Sequence, residues 1–263
     1  MNALFLGYGR MGSAIGEAWL KAGLVSQISV VDPYLSAASD VTLYSSVQAL
    51  PAVPFDIIVV AVKPNHACEV LKALPPPVRQ RAVVISVAAG VTSEKLSLAL
   101  GRSCPVVRAM PNTPVLVGVG CTGLFAEDDL TEHQREWVTR LFSAVGSASW
   151  VEREELLDAV TALSGSGPAY YHLFSEALAS AGVALGLSPE LAKALATQTA
   201  LGAATLQAQP GADLVELRSA VTSPNGTTAA AIAAFEQGSA LRRLVEVAVQ
   251  SAYTRSQELS RKS

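Results

Sequence analysis

Charge, sulfur and aromatic rings are all scarce in this sequence. Aspartate, glutamate, lysine and arginine make up 16% of its 263 residues, aromatic residues 6%, and there are three cysteines. The formal net charge of -3 lacks the basic excess that a polyphosphate backbone demands, which excludes nucleic acid as a partner. Cys68, Cys104 and Cys121 are odd in number and show no paired spacing. Neither a disulfide framework nor a zinc site is therefore expected, and a reducing cytoplasm suits the chain. No apolar run reaches the roughly 18 residues of a spanning helix. The opening apolar run at 3–6 is short and has no basic leader, so neither a membrane span nor a signal peptide is expected. What the sequence does have is apolar bulk: 50% hydrophobic residues and a mean hydropathy of +0.36. That excludes disorder and leaves a surplus for a helix-rich interior and a subunit interface.

The length allows one large or two modest domains, and the texture divides in two. Up to residue 153, short β-branched runs at 3–6, 28–31, 57–62, 82–87 and 105–108 alternate with helical stretches at 11–23, 65–74 and 93–100, followed by a helix near 131–145 and a strand near 147–151. This alternation predicts an α/β domain, a doubly wound parallel sheet over residues 1–153. From 154 to 263 strand-like runs vanish and alanine abounds, which predicts an all-helical domain with helices at 168–185, 189–208, 213–221, 228–236 and 240–260. The segment 189–208 is apolar or small around most of its circumference, the pattern of a buried helix, here against a second subunit.

Chemistry-bearing motifs fall at the expected strand ends. Gly7, Tyr8, Gly9, Arg10, Met11 and Gly12 spell GxGxxG after a strand and at a helix start, and Asp32 ends the second strand. In this context the glycines let backbone amides approach a pyrophosphate at the helix N-terminus. A carboxylate at Asp32 accepts bonds from a ribose 2′-OH and repels a 2′-phosphate, which favours NADH, with Arg10 the one nearby cation; alternatively Asp32 caps the turn before Pro33. Ala61, Val62, Lys63 and Pro64 end the third strand, and Val87, Ala88 and Ala89 the fourth, on the side where such sheets bind ligands. Asn112 follows the fifth strand between two prolines. Residues 163–170 (LSGSGPAY) offer bare backbone before a helix, either to a ligand or for tight packing. Residues 221–228 (VTSPNGTT) combine a Pro-Asn-Gly turn, a helix start and two hydroxyls, a cradle for a small carboxylate or an ordinary N-cap.

AVKP at 61–64, RAMPNTPV at 108–115, ALSGSGPAYY at 162–171 and VTSPNGTT at 221–228, behind the N-terminal GxGxxG, resemble the pyrroline-5-carboxylate reductase family along nearly the whole chain. The resemblance implies NAD(P)H-dependent reduction of a cyclic imine to L-proline, the last step of proline biosynthesis. It also implies a Rossmann domain and a helical domain that builds a homodimer, with further assembly to a decamer. Residue by residue it implies that Gly7–Gly12 hold the pyrophosphate, that Ser46 lies near the adenosine, and that 61–64 and 87–89 line the site toward the nicotinamide. Glu154 would approach the substrate. Ser223, Asn225, Gly226 and Thr227 would bind its carboxylate, and Thr228 would bond the ring nitrogen.

The chain departs from the family in reading Tyr-Gly-Arg-Met where Gly-Asn-Met is common, in Asn225 where glycine is common, and in Asp32, since the family often uses NADPH. The chemistry agrees with an imine substrate. Reduction of a protonated iminium needs positioning rather than a strong base, and 169–176 contain no lysine. His172 reads as a helix residue, and His66 and Cys68 form no metal set. Two other readings use the same residues: a sister enzyme for another cyclic imine or ketimine acid, and a non-catalytic NAD(P)-binding regulator.

Overall fold

The computed structural model describes residues 1–127 and 130–262; Ser263, the end of the second expected domain, lies outside them. Strand β1 (Asn2–Leu6) leads into α1 (Arg10–Lys21), β2 (Gln27–Val31), β3 (Thr42–Tyr44), β4 (Ile57–Val60), α2 (Pro64–Lys72), α3 (Pro76–Arg79) and β5 (Val83–Ser86). Then follow α4 (Ser93–Ala99), β6 (Val106–Pro111), β7 (Gly120–Ala126), α5 (Glu132–Ser143) and β8 (Gly146–Trp150). The strands form one sheet of order β3-β2-β1-β4-β5-β6-β7-β8. It is parallel from β3 to β6, whereas β7 and β8 run parallel to each other and antiparallel to β6.

The sheet is wound on both faces because successive side chains of a strand point to opposite sides. Ala3, Phe5, Ile57, Val59 and Ile85 pack with Ile15 and Trp19 of α1 and with Val138, Leu141 and Phe142 of α5. Leu4, Leu6, Ile58, Val60 and Val84 pack with Ala67 and Leu71 of α2 and Leu96 of α4. With both faces covered, the central strands must be apolar at every position, as their continuous Ile/Val runs announce. Trp19 joins α1 to α5: its indole N–H donates to the Leu141 carbonyl at 2.8 Å, and its ring stands edge-on to Phe142 at 5.9 Å.

After β8 the chain is helical: α6 (Leu156–Val160), a π-helical turn (Thr161–Gly165), α7 (Gly167–Ala184), α8 (Pro189–Gln207), α9 (Leu214–Ala220), α10 (Thr227–Glu236) and α11 (Ala240–Lys262). The protein divides into two compact units. One comprises Met1–Ser166 together with the chain from Ala252 onward, the other Gly167–Ser251. The change of texture at 153/154 precedes this division because α6 still belongs to the first unit, where Val160 packs against Gly123 of β7. The end of α11 is fastened in that unit by Ser256, whose hydroxyl donates to Asp158 at 2.5 Å.

In the second unit, α8 does not read as a buried helix when one chain is taken by itself. Only Ala192 and Ala196 are buried, while Leu191, Leu195, Leu201 and Leu206 are exposed. Among the described residues, no helix is long and apolar enough to cross a membrane.

Candidate functional site

The first candidate site lies along the carboxyl edge of the sheet. Pairing sets Leu6, Val31, Val60 and Ser86 level with one another. Whatever follows them therefore emerges on one edge: 7–12 after β1, Asp32 after β2, 61–64 after β4 and 87–89 after β5. Ser46 follows β3 on the same edge and starts a short 3-10 turn. The sequence-predicted cofactor residues are thus brought together in space.

The turn itself is built by close approach. Gly7 has φ +87°, and a Cβ there would stand 2.8 Å from the Ala61 carbonyl oxygen. Gly9 is the N-cap of α1 and supplies no side-chain cap. The first intrahelical bond is Ser13 N–H to the Gly9 carbonyl at 2.9 Å, which leaves the amides of Arg10, Met11 and Gly12 without intrahelical partners. A Cβ on Gly9 would meet nothing within 4 Å, so no internal packing requires a glycine there, and the opening lies before an uncapped helix N-terminus. These features fit a dinucleotide pyrophosphate. Arg10 is exposed and makes no ion pair among the described residues; Met11 packs back onto the core.

Two of the predicted residues have internal partners. Tyr8, expected to contact cofactor, is turned into the protein. Its ring lies edge-on to Phe5 at 5.4 Å, and its N–H donates to Asp32 Oδ2 at 2.9 Å, so neither its side chain nor its amide faces a ligand. Burial, reinforced by the charge of Glu17, pushes the Tyr8 hydroxyl up to about 12. Asp32 caps the turn before Pro33, as one reading of the sequence has it: Oδ1 accepts from Tyr34 N–H at 2.9 Å, while Oδ2 accepts from Tyr8 N–H and so fastens the glycine turn.

Glu154 also has internal partners. Its Oε1 accepts from Arg108 Nη1 at 2.8 Å and from Ser93 N–H at 2.6 Å, and its Oε2 accepts from the Ser93 hydroxyl at 3.0 Å. Glu154, expected to approach substrate, thus clamps the start of α4 through both carboxylate oxygens. Nothing in the motif spacing signals this; it arises from strand register. Asn112 is likewise internal: its amide donates to the Ser164 carbonyl at 3.0 Å and its Oδ1 accepts from Cys121 N–H at 2.8 Å. The SGSG segment is not a loop before a helix. Ser164 and Gly165 end the π-helical turn Thr161–Gly165, which Ser166 N–H closes by donating to the Thr161 carbonyl at 2.8 Å, and Gly167 opens α7.

The second candidate site is the turn between α9 and α10. Gly226 N–H donates to the Ser223 carbonyl at 3.0 Å, and Asn225 sits at φ +61°. A Cβ on Gly226 would stand 2.5 Å from Ser223 Oγ, so hydroxyl and turn are interlocked. The N-cap is Gly226 and no side chain caps the helix. The hydroxyls of Thr227 and Thr228 bond nothing among the described residues. Uncapped amides and two unspent hydroxyls are what a small carboxylate with a neighbouring polar atom requires. Among the described residues, no three His, Cys, Asp or Glu side chains converge as a metal site would need.

Comparison with known proteins covers the same two regions. The family described as pyrroline-5-carboxylate reductase dimerisation matches residues 154–259, and that described as NADP oxidoreductase coenzyme F420-dependent matches residues 3–90. The pyrroline-5-carboxylate reductase of Pseudomonas aeruginosa is 40% identical over 262 residues, covering 97% of this chain and 96% of that one. A solved pyrroline-5-carboxylate reductase from Coxiella burnetii is 37% identical with a TM-score of 0.89, covering 98% of each chain. The Plasmodium falciparum pyrroline carboxylate reductase, solved with NADP bound, is 32% identical with a TM-score of 0.84, covering 99% of this chain and 98% of that one.

Proposed function

The chain belongs to the pyrroline-5-carboxylate reductase family, and we propose how its residues divide the work of that reaction. It is an NAD(P)H-dependent oxidoreductase that reduces 1-pyrroline-5-carboxylate to L-proline. When bound, the dinucleotide supplies the hydride. Its pyrophosphate is held by the uncapped amides of 10–12, with Gly9 leaving room for the phosphates. Asp32 and Ser46 serve the adenosine end; 61–64 and 87–89 serve the nicotinamide end. The engagement of Asp32 at a fixed place supports use of NADH at least equal to NADPH.

The imine carboxylate is taken by Ser223, Asn225, Gly226 and Thr227, through the amides of the α10 start. The Thr228 hydroxyl bonds the ring nitrogen and orients the adjacent carbon. A substrate that arrives as an iminium carries its own proton, and transfer then needs alignment more than a base. The observation that carries this reading is the uncapped start of α10 with two unspent threonine hydroxyls. The helical unit serves self-association, which we read as a homodimer able to assemble further to a decamer, working in the cytoplasm. A steady-state assay with 1-pyrroline-5-carboxylate and its six-membered homologue, each with NADH and NADPH, tests the reading. Turnover of the five-membered ring is expected. Preference for the six-membered ring would make this a sister enzyme, and binding of cofactor without turnover would make it a regulator.

A further inference from the structure

The segment 87–92 joins β5 to α4, and its first three residues are those assigned above to the nicotinamide end. It is tied at both ends to one place on the sheet. At its start, Ser86 is buried and its Oγ accepts from Ala88 N–H at 3.3 Å. Ser86 is also the register partner of Arg108 on β6. At its end, Ser93 opens α4, and its N–H and hydroxyl both donate to Glu154. Glu154 in turn accepts from Arg108, whose side chain is 10% exposed. The sequence Ser86, Arg108, Glu154, Ser93 therefore closes a ring around the loop. The Ser93 hydroxyl also lies 3.2 Å from Glu127 Oε1, so its single proton has two carboxylates to choose from.

We propose that Glu154 and Arg108 are positioning residues for hydride transfer, fixing the separation of the two loop ends and hence the depth at which the nicotinamide sits. The proposal rests on the assignment of 87–89 to the nicotinamide end. The physical ground is that the bonds are charge-assisted and short, and that the ion pair is shielded from water, so the loop end does not fray. Transfer rates are sensitive to placement at this scale: a 1 Å error can cost about a hundredfold. Glu154 acts through the loop and touches no reacting atom.

A proline scan at one position separates this role from direct substrate contact. Ser93 is the first residue of α4, where proline is accommodated. The preceding Thr92 has φ -73° and ψ 154°, the extended conformation that a following proline requires. Ser93→Pro therefore removes both donors to Glu154 while sparing Glu154, Arg108 and the helix. In the full-length enzyme, Ser93→Pro and Glu154→Gln are each expected to lower kcat about ten- to hundredfold. The imine KM and the cofactor Kd, read from NADPH fluorescence, should stay within about twofold. Ser93→Ala keeps the amide donor and should retain most of kcat. Wild-type kcat in Ser93→Pro alongside loss in Glu154→Gln would overturn the proposal, and so would a loss carried by the imine KM, since either places Glu154 against substrate. Full activity in both variants also overturns it. A wild-type enzyme that binds cofactor without reducing the imine defeats the functional reading itself, and the proposal with it.

Discussion

The backbone N–H of Tyr8 donates to Oδ2 of Asp32 at 2.9 Å. The carboxylate that follows β2 therefore fastens the glycine turn that follows β1, and the proposed adenosine-end residue also holds the loop in shape.

Asp32→Ser is accordingly expected to do two things. It should raise the NADPH/NADH ratio of kcat/KM by roughly tenfold, about 1.4 kcal/mol, by removing a charge that repels a 2′-phosphate. It should also lower kcat/KM with NADH, because the turn loses part of its fastening. Parallel kinetics with the two cofactors check both effects. A large NADPH preference in the wild type would show that exposed Arg10 outweighs Asp32.

Gly9 and Gly12 separate binding from folding. A Cβ at Gly9 meets no protein atom, whereas one at Gly12 would stand 2.8 Å from the Gly7 carbonyl. Gly9→Ala should leave Tm unchanged and weaken the cofactor by about tenfold or more, the cost of obstructing close backbone approach. Gly12→Ala should lower Tm as well, since backbone must move. Calorimetry beside cofactor titration distinguishes them.

On the role proposed for Thr228, Thr228→Ala removes a positioned hydrogen bond to a group whose charge changes during transfer. It should cost about 1.5–3 kcal/mol, or roughly ten- to two-hundredfold in kcat/KM, with cofactor Kd unchanged. Thr227→Ala should cost less, because its backbone amide remains available to the carboxylate. Full activity in Thr228→Ala would reduce its hydroxyl to a spectator.

Tyr8→Phe should keep kcat/KM, since the Tyr8 bond that fastens the turn comes from its backbone amide and phenylalanine keeps the ring. Its effect belongs to alkaline stability. The folded hydroxyl titrates near 12 against 10.0 ordinarily. As pH rises through this window the unfolded chain releases its proton first, so stability falls with pH there and is untouched below about 10. Urea unfolding at pH 8 to 11 should show a shallower alkaline decline in the variant.

Self-association should be required for folding. The exposed leucines of α8 leave too much apolar surface for a soluble lone chain, so ultracentrifugation at micromolar concentration should find no folded 27.3 kDa species. Leu195→Asp should aggregate or unfold; a stable folded monomer would contradict the expectation.

Much of this architecture was legible because buried parallel strands advertise themselves as Ile/Val runs and because GxGxxG and SPNGTT place glycine where backbone must turn or open. The motif's departure from glycine at Asn225 is accommodated by the backbone: at φ +61° asparagine is tolerated better than other side chains. Two strands escaped notice. Thr42–Tyr44 is only three residues long, and Gly120–Ala126 carries two glycines and lacks the β-branched run of its neighbours. The partners of Tyr8, Asn112 and Glu154 were not legible. Each is bonded across a large sequence separation, and which groups meet is settled by strand register, which no local pattern encodes.

The lashing of Ser256 to Asp158 spans 98 residues of sequence. It reaches across the entire helical unit, so the order of events during synthesis matters. Asp158 leaves the ribosome long before Ser256 exists, and until then the nucleotide-binding unit lacks its closing piece. The helical unit, complete at Ser251, is made in full before its predecessor is finished. The two therefore mature as nested rather than successive objects, and a nascent chain stalled in α11 after Ser251 and before Ser256 carries a finished insert inside an unfinished host.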